Sequence, residues 1–435
     1  MTKTARLILA GALLLAACAA EGTGDQASPT SAEAPPATID TGTADAADTE
    51  TAEPTTEPAG TTEPAGTATD TGATAAEGDP VLVGVNIEQS GPASVQGEAY
   101  ARAVELLARQ INDAGGILGR PLELQVVDNA TDQTEAVTQT QRLVDDGAVA
   151  MVGPGTSPTT LAAMDTILSA GIPVVSMGSA DAITDPPADR PNVFKTPARG
   201  SLMASEIVAH MGEQGIGRVG LIAVNNPYGD SGVTAWEELA AAGDVELVGI
   251  ERFEATDTDM TTQLNSLAGA GAEAIVTWAI PPGAPTVRRN AVENLGIELP
   301  MYFDAGAGAE LFVELAGAAA DGALVIHPRT LIWDQVGADD PQAEALTEFG
   351  SAYTGEFGAM SGFAGYAWDA LGLLRTAIEQ AGDTEPEAII EAMEGLGEYV
   401  GVTGTYEITA DDHQGLGEGD LVMLTVEGGE WRPAE

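Results

Sequence analysis

From Val81 onward, short runs rich in β-branched residues alternate with longer segments of helical period, and this alternation restricts the architecture more than any other feature of the chain. The strand-like runs include VLVGVNI, LELQVVD, VAMVG, IPVVSM, RVGLIAV, VELVGIERF, EAIVTWA, LPMYFD and GALVIHP. Between the first two, GEAYARAVELLARQINDAGG puts Ala103, Leu106, Leu107 and Ile111 on one face and ends in glycines suited to a C-cap. Strands separated by helices are joined by crossovers, so they lie parallel and are covered on both faces. The strands are too many for one open sheet of ordinary size. They predict two consecutive doubly wound units, one over about Val81 to Thr196 and one over about Gly200 to Ile326. Beyond them, two or three helices from about Gln342 to Leu396 precede the strand-like YVGVTGTYEI, DLVMLTV and EWRP. Pieces this short cannot form a core alone and are expected to complete the two earlier sheets.

The N-terminus reads differently. Lys3 and Arg6 precede the apolar run Leu7 to Leu15, an export signal too short to span a membrane. The chain's single cysteine, Cys18, ends that signal in Leu15-Ala16-Ala17-Cys18, which resembles a bacterial lipobox and predicts cleavage and acylation at Cys18. With no second cysteine the body has no disulfide and relies on its core. From Ala19 to about Pro80 the composition is Thr, Ala, Glu, Pro and Gly, with Thr-Thr-Glu-Pro-Ala-Gly repeated at Thr55 and Thr61. Such a segment buries too little apolar surface to offset its ordering entropy, so a disordered tether is expected. As a flexible coil it would span roughly 40 to 45 Å end to end.

The formal net charge is −51, and lysine occurs only at Lys3 and Lys195. Nucleic acid and anionic lipid are poor partners for such a surface. Catalytic signatures are weak as well. The chain has no Gly-x-x-x-x-Gly-Lys-Ser/Thr phosphate loop and no Gly-x-Ser-x-Gly elbow, and GPGTSP lacks the third glycine of a dinucleotide fingerprint. His210, His327 and His413 are scattered without metal-ligand spacing. An enzyme would have to work with carboxylates such as Asp181 and Asp304. Binding without metal or cofactor is the better expectation.

In an open parallel sheet, ligands bind beyond the C-terminal ends of the strands. VAMVGPGTSPTTLAAM is such a strand-to-helix junction. Ser157 as N-cap and Pro158 as first helical residue would leave the amides of Thr159 and Thr160 facing the crevice. With the hydroxyls of Thr156 and Ser157 beside it, this end favours an anion, most naturally a carboxylate. The alternative is that Ser157 merely caps its helix. Hydroxyls, a tyrosine and an acid recur at the later junctions VVSMGSADAIT, LIAVNNPYGDSG and YFDAGAGAEL.

The order and spacing of GVNIEQSGPAS, INDAGGILGRPLELQVVDNATD, VGPGTSPTT, AGIPVVSMGSADAIT, NVFKT, VGLIAVNNPYGDSG, FEATDTDMTTQLNSLAGAGAEAIV and FAGYAWDAL resemble the type I periplasmic binding proteins of the leucine/isoleucine/valine-binding family. The resemblance runs from Val81 to the C-terminus. It implies two lobes that close over a small ligand, joined by three crossing strands. Lobe 1 would comprise 80–198 with 328–398 and lobe 2 would comprise 199–327 with 399–435, behind a signal at 1–18 and the tether at 19–79. By the same resemblance, Ser157 with neighbouring amides holds the ligand carboxylate, and Gly178, Ser179 and Ala180 supply the next contacts. Tyr228 covers the ligand from the second lobe, and Asp304 stands where the family has an ammonium-binding glutamate. The chain departs from the pattern at Gln96, which replaces an aromatic, and at Ile280, which replaces a tyrosine, with Trp278 nearby. The implied function is that of a monomeric solute-binding lipoprotein, anchored outside the cytoplasmic membrane or in a periplasm. It would deliver a branched-chain or other hydrophobic amino acid to an ABC permease and its ATPase. Amides, urea and small organic or aromatic carboxylates remain open as ligands, and a sensor for a membrane receptor remains open as the role.

Overall fold

The computed structural model describes residues 78–434, so Cys18, the export signal and the tether of the sequence reading lie outside the described residues. The first sheet is built from β1 (Val81–Ile87), α1 (Ser94–Asp113), β2 (Leu122–Asp128), α2 (Gln133–Asp145), β3 (Ala150–Val152), α3 (Ser157–Ala170), β4 (Val174–Ser176) and β5 (Val193–Lys195). Its strands run parallel in the order β2-β1-β3-β4-β5. Because side chains alternate across a strand, Ala150 and Val152 join one apolar cluster while Met151 joins another with Leu143, Met164 and Ile167. Both faces are therefore buried, which is why these strands read as continuous apolar runs. Gly84 in β1 is required by that packing, since a Cβ there would sit 2.9 Å from Leu143 Cδ1.

The second sheet follows α4 (Gly200–Glu213). It contains β6 (Arg218–Val224), α5 (Pro227–Ala242), β7 (Glu246–Phe253), α6 (Thr261–Gly269), β8 (Ala274–Trp278), α7 (Gly283–Arg289), β9 (Met301–Phe303), α8 (Glu310–Ala316) and β10 (Leu324–His327). The chain then forms α9 (Ala343–Phe357), α10 (Ala364–Ala381), α11 (Pro386–Glu394), β11 (Gly397–Val400), β12 (Thr405–Ile408), β13 (Val422–Glu427) and β14 (Glu430–Pro433). β13 and β14 extend the second sheet antiparallel at its edge, giving the order β14-β13-β10-β9-β8-β6-β7. The architecture is thus two α/β sheets, the first all parallel and the second parallel except at its edge strands β13 and β14, linked by three passages, after β5, after β10 and after β12.

Two details differ from the sequence reading. β5 is a three-residue strand within NVFK that period alone does not reveal. YVGVTGTYEI completes neither sheet but pairs with itself as β11 and β12. The hairpin lies instead against α10, where Tyr399 closes over Gly372 and its ring centroid stands 6.2 Å from that of Tyr406. The half-buried Tyr399 and the fully buried Tyr406 stand opposite each other in the hairpin, on the same face.

The passages between the sheets are pinned by polar groups. Thr196, just after β5, donates its hydroxyl to the Tyr366 carbonyl at 3.0 Å, and the Tyr406 hydroxyl donates to the Thr196 carbonyl at 3.0 Å. Asp369 on α10 accepts from the amides of Val402 and Thr403 at 2.9 and 2.8 Å, and from the Thr403 hydroxyl. In the second sheet, Gly232 of α5 lies flat against the fully buried Trp278 indole, leaving no space for a Cβ. Gly232→Ala is therefore expected to lower stability by about 1–3 kcal/mol through overpacking, read as a lower denaturant midpoint with an unchanged slope.

Candidate functional site

A cavity of about 310 Å³ lies between the two sheets. Its walls come from segments that follow strand C-terminal ends: Gly155 to Ser157 after β3, Met177 to Ser179 after β4, Tyr228 after β6, Ile280 after β8 and Gly306 after β9. This is where an open α/β sheet offers backbone amides and helix starts to a ligand.

The first-sheet side is organised by the start of α3. Thr156, not Ser157, is the N-cap: its hydroxyl accepts from the Thr159 amide at 3.5 Å and its carbonyl from the Thr160 amide at 2.9 Å. The amides of Thr159 and Thr160, expected to face the crevice, are consumed by this cap. The reason is register: Pro158 is tolerated at the second helical position, so the helix starts one residue earlier. Ser157 becomes the first helical residue, whose N–H has no acceptor within the helix. The Ser157 hydroxyl accepts from the Ala180 amide at 3.0 Å and so ties the two loops together. Gly178 lets them abut, because a Cβ there would sit 2.9 Å from Ser157 N.

Beneath this loop lies the buried carboxyl of Glu88. Its Oε1 accepts from the Thr156 amide at 3.1 Å, the Thr159 hydroxyl at 2.8 Å and the Asn129 side chain at 3.1 Å, while Oε2 is buried without a partner. Burial outweighs those bonds and raises its pKa. Behind Ser179 lies Lys195, fully buried, whose Nζ donates to the Ser179 carbonyl at 2.7 Å and stands 3.5 Å from Asp181. Burial lowers its pKa while Asp181 supports the charge.

From the second sheet, Asn226 caps α5 by accepting from the Gly229 amide at 3.1 Å, and this sets Tyr228 into the cavity wall. Of the residues singled out in the sequence, Gln96, Thr156, Ser157, Gly178, Ser179, Tyr228 and Ile280 line the cavity. Ala180, Trp278 and Asp304 stand one layer behind. Trp278 is fully buried with its ring centroid 6.2 Å from that of Tyr228, so it backs the wall rather than forming it. Asp304 accepts from the amides of Ala279 and Gly306, each at 2.8 Å, one on each oxygen. Its neighbours Ala305 and Gly306 reach the cavity instead.

The sequence reading left out several wall residues, Tyr100, Met203, Phe253, Phe363 and Tyr366 among them. Tyr100 was accessible in principle, because it lies four residues after Gln96 on α1 and accepts from Gln96 Nε2 at 2.6 Å. Phe363 and Tyr366 lie within FAGYAW at the start of α10, a helix buried on nearly every side, so no amphipathic stripe marks their inner face.

Burial raises the pKa of Asp304 from 3.8 to about 7, against the opposing pull of its amide donors. A raised folded-state pKa means that the folded protein holds a proton the unfolded chain has lost. The contribution of this group to stability is thus fully present below about pH 4 and lost as the pH rises through about 7. Asp304→Asn should remove that dependence. The difference in melting temperature, wild type minus variant, is expected to shrink between pH 4 and pH 7, measured by thermal unfolding across that range.

A profile of the family described as periplasmic binding protein matches residues 80–430. The leucine-, isoleucine-, valine-, threonine- and alanine-binding protein of Pseudomonas aeruginosa is 24% identical over 320 residues, 72% of this chain and 82% of that one. The Leu/Ile/Val-binding protein homolog 1 of Brucella abortus is 23% identical, over 74% of this chain and 85% of its own. Among solved structures, an extracellular ligand-binding receptor from Rhodopseudomonas palustris HaA2 matches with a TM-score of 0.76 and 26% identity, covering 82% of this chain and all of that one. The branched-chain amino acid transporter substrate binding protein LivJ from Streptococcus pneumoniae, in complex with isoleucine, matches with a TM-score of 0.72 and 27% identity, covering 82% and 99%. Two parallel sheets facing each other across a ligand-sized cavity, together with a family match over most of its length, make this chain a member of the type I periplasmic binding protein family.

Proposed function

We propose that this protein is an extracytoplasmic solute-binding lipoprotein that captures a small ligand between its two sheet-centred lobes and presents it to an ABC permease and its ATPase. The observation that carries this reading is the cavity itself. One end offers the start of α3 and the hydroxyls of Ser157 and Ser179, while Met203, Phe253, Ile280 and Phe363 provide apolar walls. Such a site suits a carboxylate head on an apolar body. Branched-chain and other hydrophobic amino acids are the reference ligands, because the relatives from Pseudomonas and Brucella are named for them.

The lobes would comprise 80–198 with 328–398, and 199–327 with 399–435. Walls contributed from both sheets mean that a ligand gains contacts only when the two are close together, so binding shifts an open–closed equilibrium toward the closed form. Acylation of Cys18 would hold the monomeric body outside the cytoplasmic membrane, with the tether as slack between lipid and cavity.

The test is thermal unfolding of the full chain with L-leucine, L-valine, L-isoleucine, small carboxylates and short amides. A true ligand at a thousandfold excess over its dissociation constant adds about 4 kcal/mol of stability. Absence of any shift across that panel refutes the reading. Ser157→Ala removes a hydroxyl from the carboxylate end and is expected to weaken the best ligand by roughly tenfold to a hundredfold, measured by titration calorimetry.

A further inference from the structure

Among the described residues that line the cavity, none is Asp, Glu, Lys, Arg or His. Two acids stand behind the lining, and each accepts from the protein's own donors. Asp304 gives one oxygen to the Ala279 amide and the other to the Gly306 amide, and it has no exposed surface. Glu88 Oε1 accepts from the Asn129 side chain, the Thr156 amide and the Thr159 hydroxyl, while its Oε2 is buried against Gly155 without a partner. Lys195 holds the carbonyl of Ser179, a lining residue, from behind, and its charge is paired with Asp181 at 3.5 Å. What the lining does present is neutral: the hydroxyls of Tyr100, Tyr228 and Tyr366, and the Gln96 amide, whose Oε1 is buried without a partner.

A carboxylate entering at Ser157 and Ser179 meets the N–H of the first helical residue and two hydroxyls, all favourable. An ammonium on the same ligand would lose its water and gain no paired charge, an unfavourable exchange in an enclosed site. A neutral carbonyl in its place could instead accept from the tyrosine hydroxyls, and a hydroxyl could in addition donate to the unpartnered Gln96 Oε1. From this lining we infer that the favoured ligand is a small carboxylic acid without an amino group, unsubstituted or carrying a 2-oxo group, on a branched or aromatic apolar body. The raised pKa of Asp304 points the same way, because an acid that keeps its proton near neutrality is a poor counter-charge.

This inference rests on the reading of the cavity as a carboxylate trap, and its test separates the two. Titration calorimetry of the full chain compares L-leucine with 4-methyl-2-oxopentanoate and 4-methylpentanoate, which share the carbon skeleton and carboxylate and differ only at the second carbon. The expected result is that at least one deaminated acid binds about tenfold or more tighter than L-leucine. Equal or tighter binding of L-leucine overturns the inference and leaves the carboxylate trap standing. Failure of all three to bind at millimolar concentration overturns both.

Discussion

Asp369 is the group on which the rest of the arrangement depends. A buried carboxyl is tolerated only when its oxygens are bonded, and here two amides and a hydroxyl from the β11–β12 hairpin supply the bonds. Burial still dominates and lifts its pKa to about 6. One helical turn earlier on α10, the Tyr366 carbonyl receives the hydroxyl of Thr196, which in turn gives its carbonyl to Tyr406. One helix thus fixes the passage that leaves the first sheet and the hairpin that precedes the last passage. The same helix carries Tyr366 into the cavity wall, so the geometry of the linkage and that of the site are set together.

Two further buried acids show how local bonding decides what a charge does. Glu88 anchors the loop that starts α3, and Asp304 anchors the turn after β9. In each case the carboxyl organises backbone that faces the cavity without facing it directly. The binding surface is consequently neutral and donor-rich at one end, although the chain as a whole is strongly acidic. Net charge and site charge are separate properties in this fold.

Much of this was legible in the sequence, because period-2 runs and helical stripes report directly on which face is buried. The nine strands named from Val81 to Pro328 all exist, and both sheets follow from their alternation with helices. The short β5 and the self-paired hairpin were not legible: three residues carry too little pattern, and the partner of a lone hairpin is chosen by tertiary packing. At the site, Ser157, Ser179 and Tyr228 could be placed because they follow strand ends. Asp304 also follows a strand end, yet its side chain turns back to cap the amides beside it. Sequence locates a residue on a loop, while the local donors decide which way its side chain points.

Three glycines in the cavity wall, Gly155 and Gly178 from the first sheet and Gly306 from the second, are hemmed in. A Cβ on Gly155 would strike Glu88, one on Gly178 would lie 2.8 Å from Ile183, and one on Gly306 would strike the Tyr228 hydroxyl. On the apolar wall, Met203, Phe253 and Ile280 present side chains rather than backbone. A side chain added at any of these glycines would therefore displace a neighbour that itself shapes the cavity, whereas Met203, Phe253 and Ile280 set the apolar wall with side chains alone.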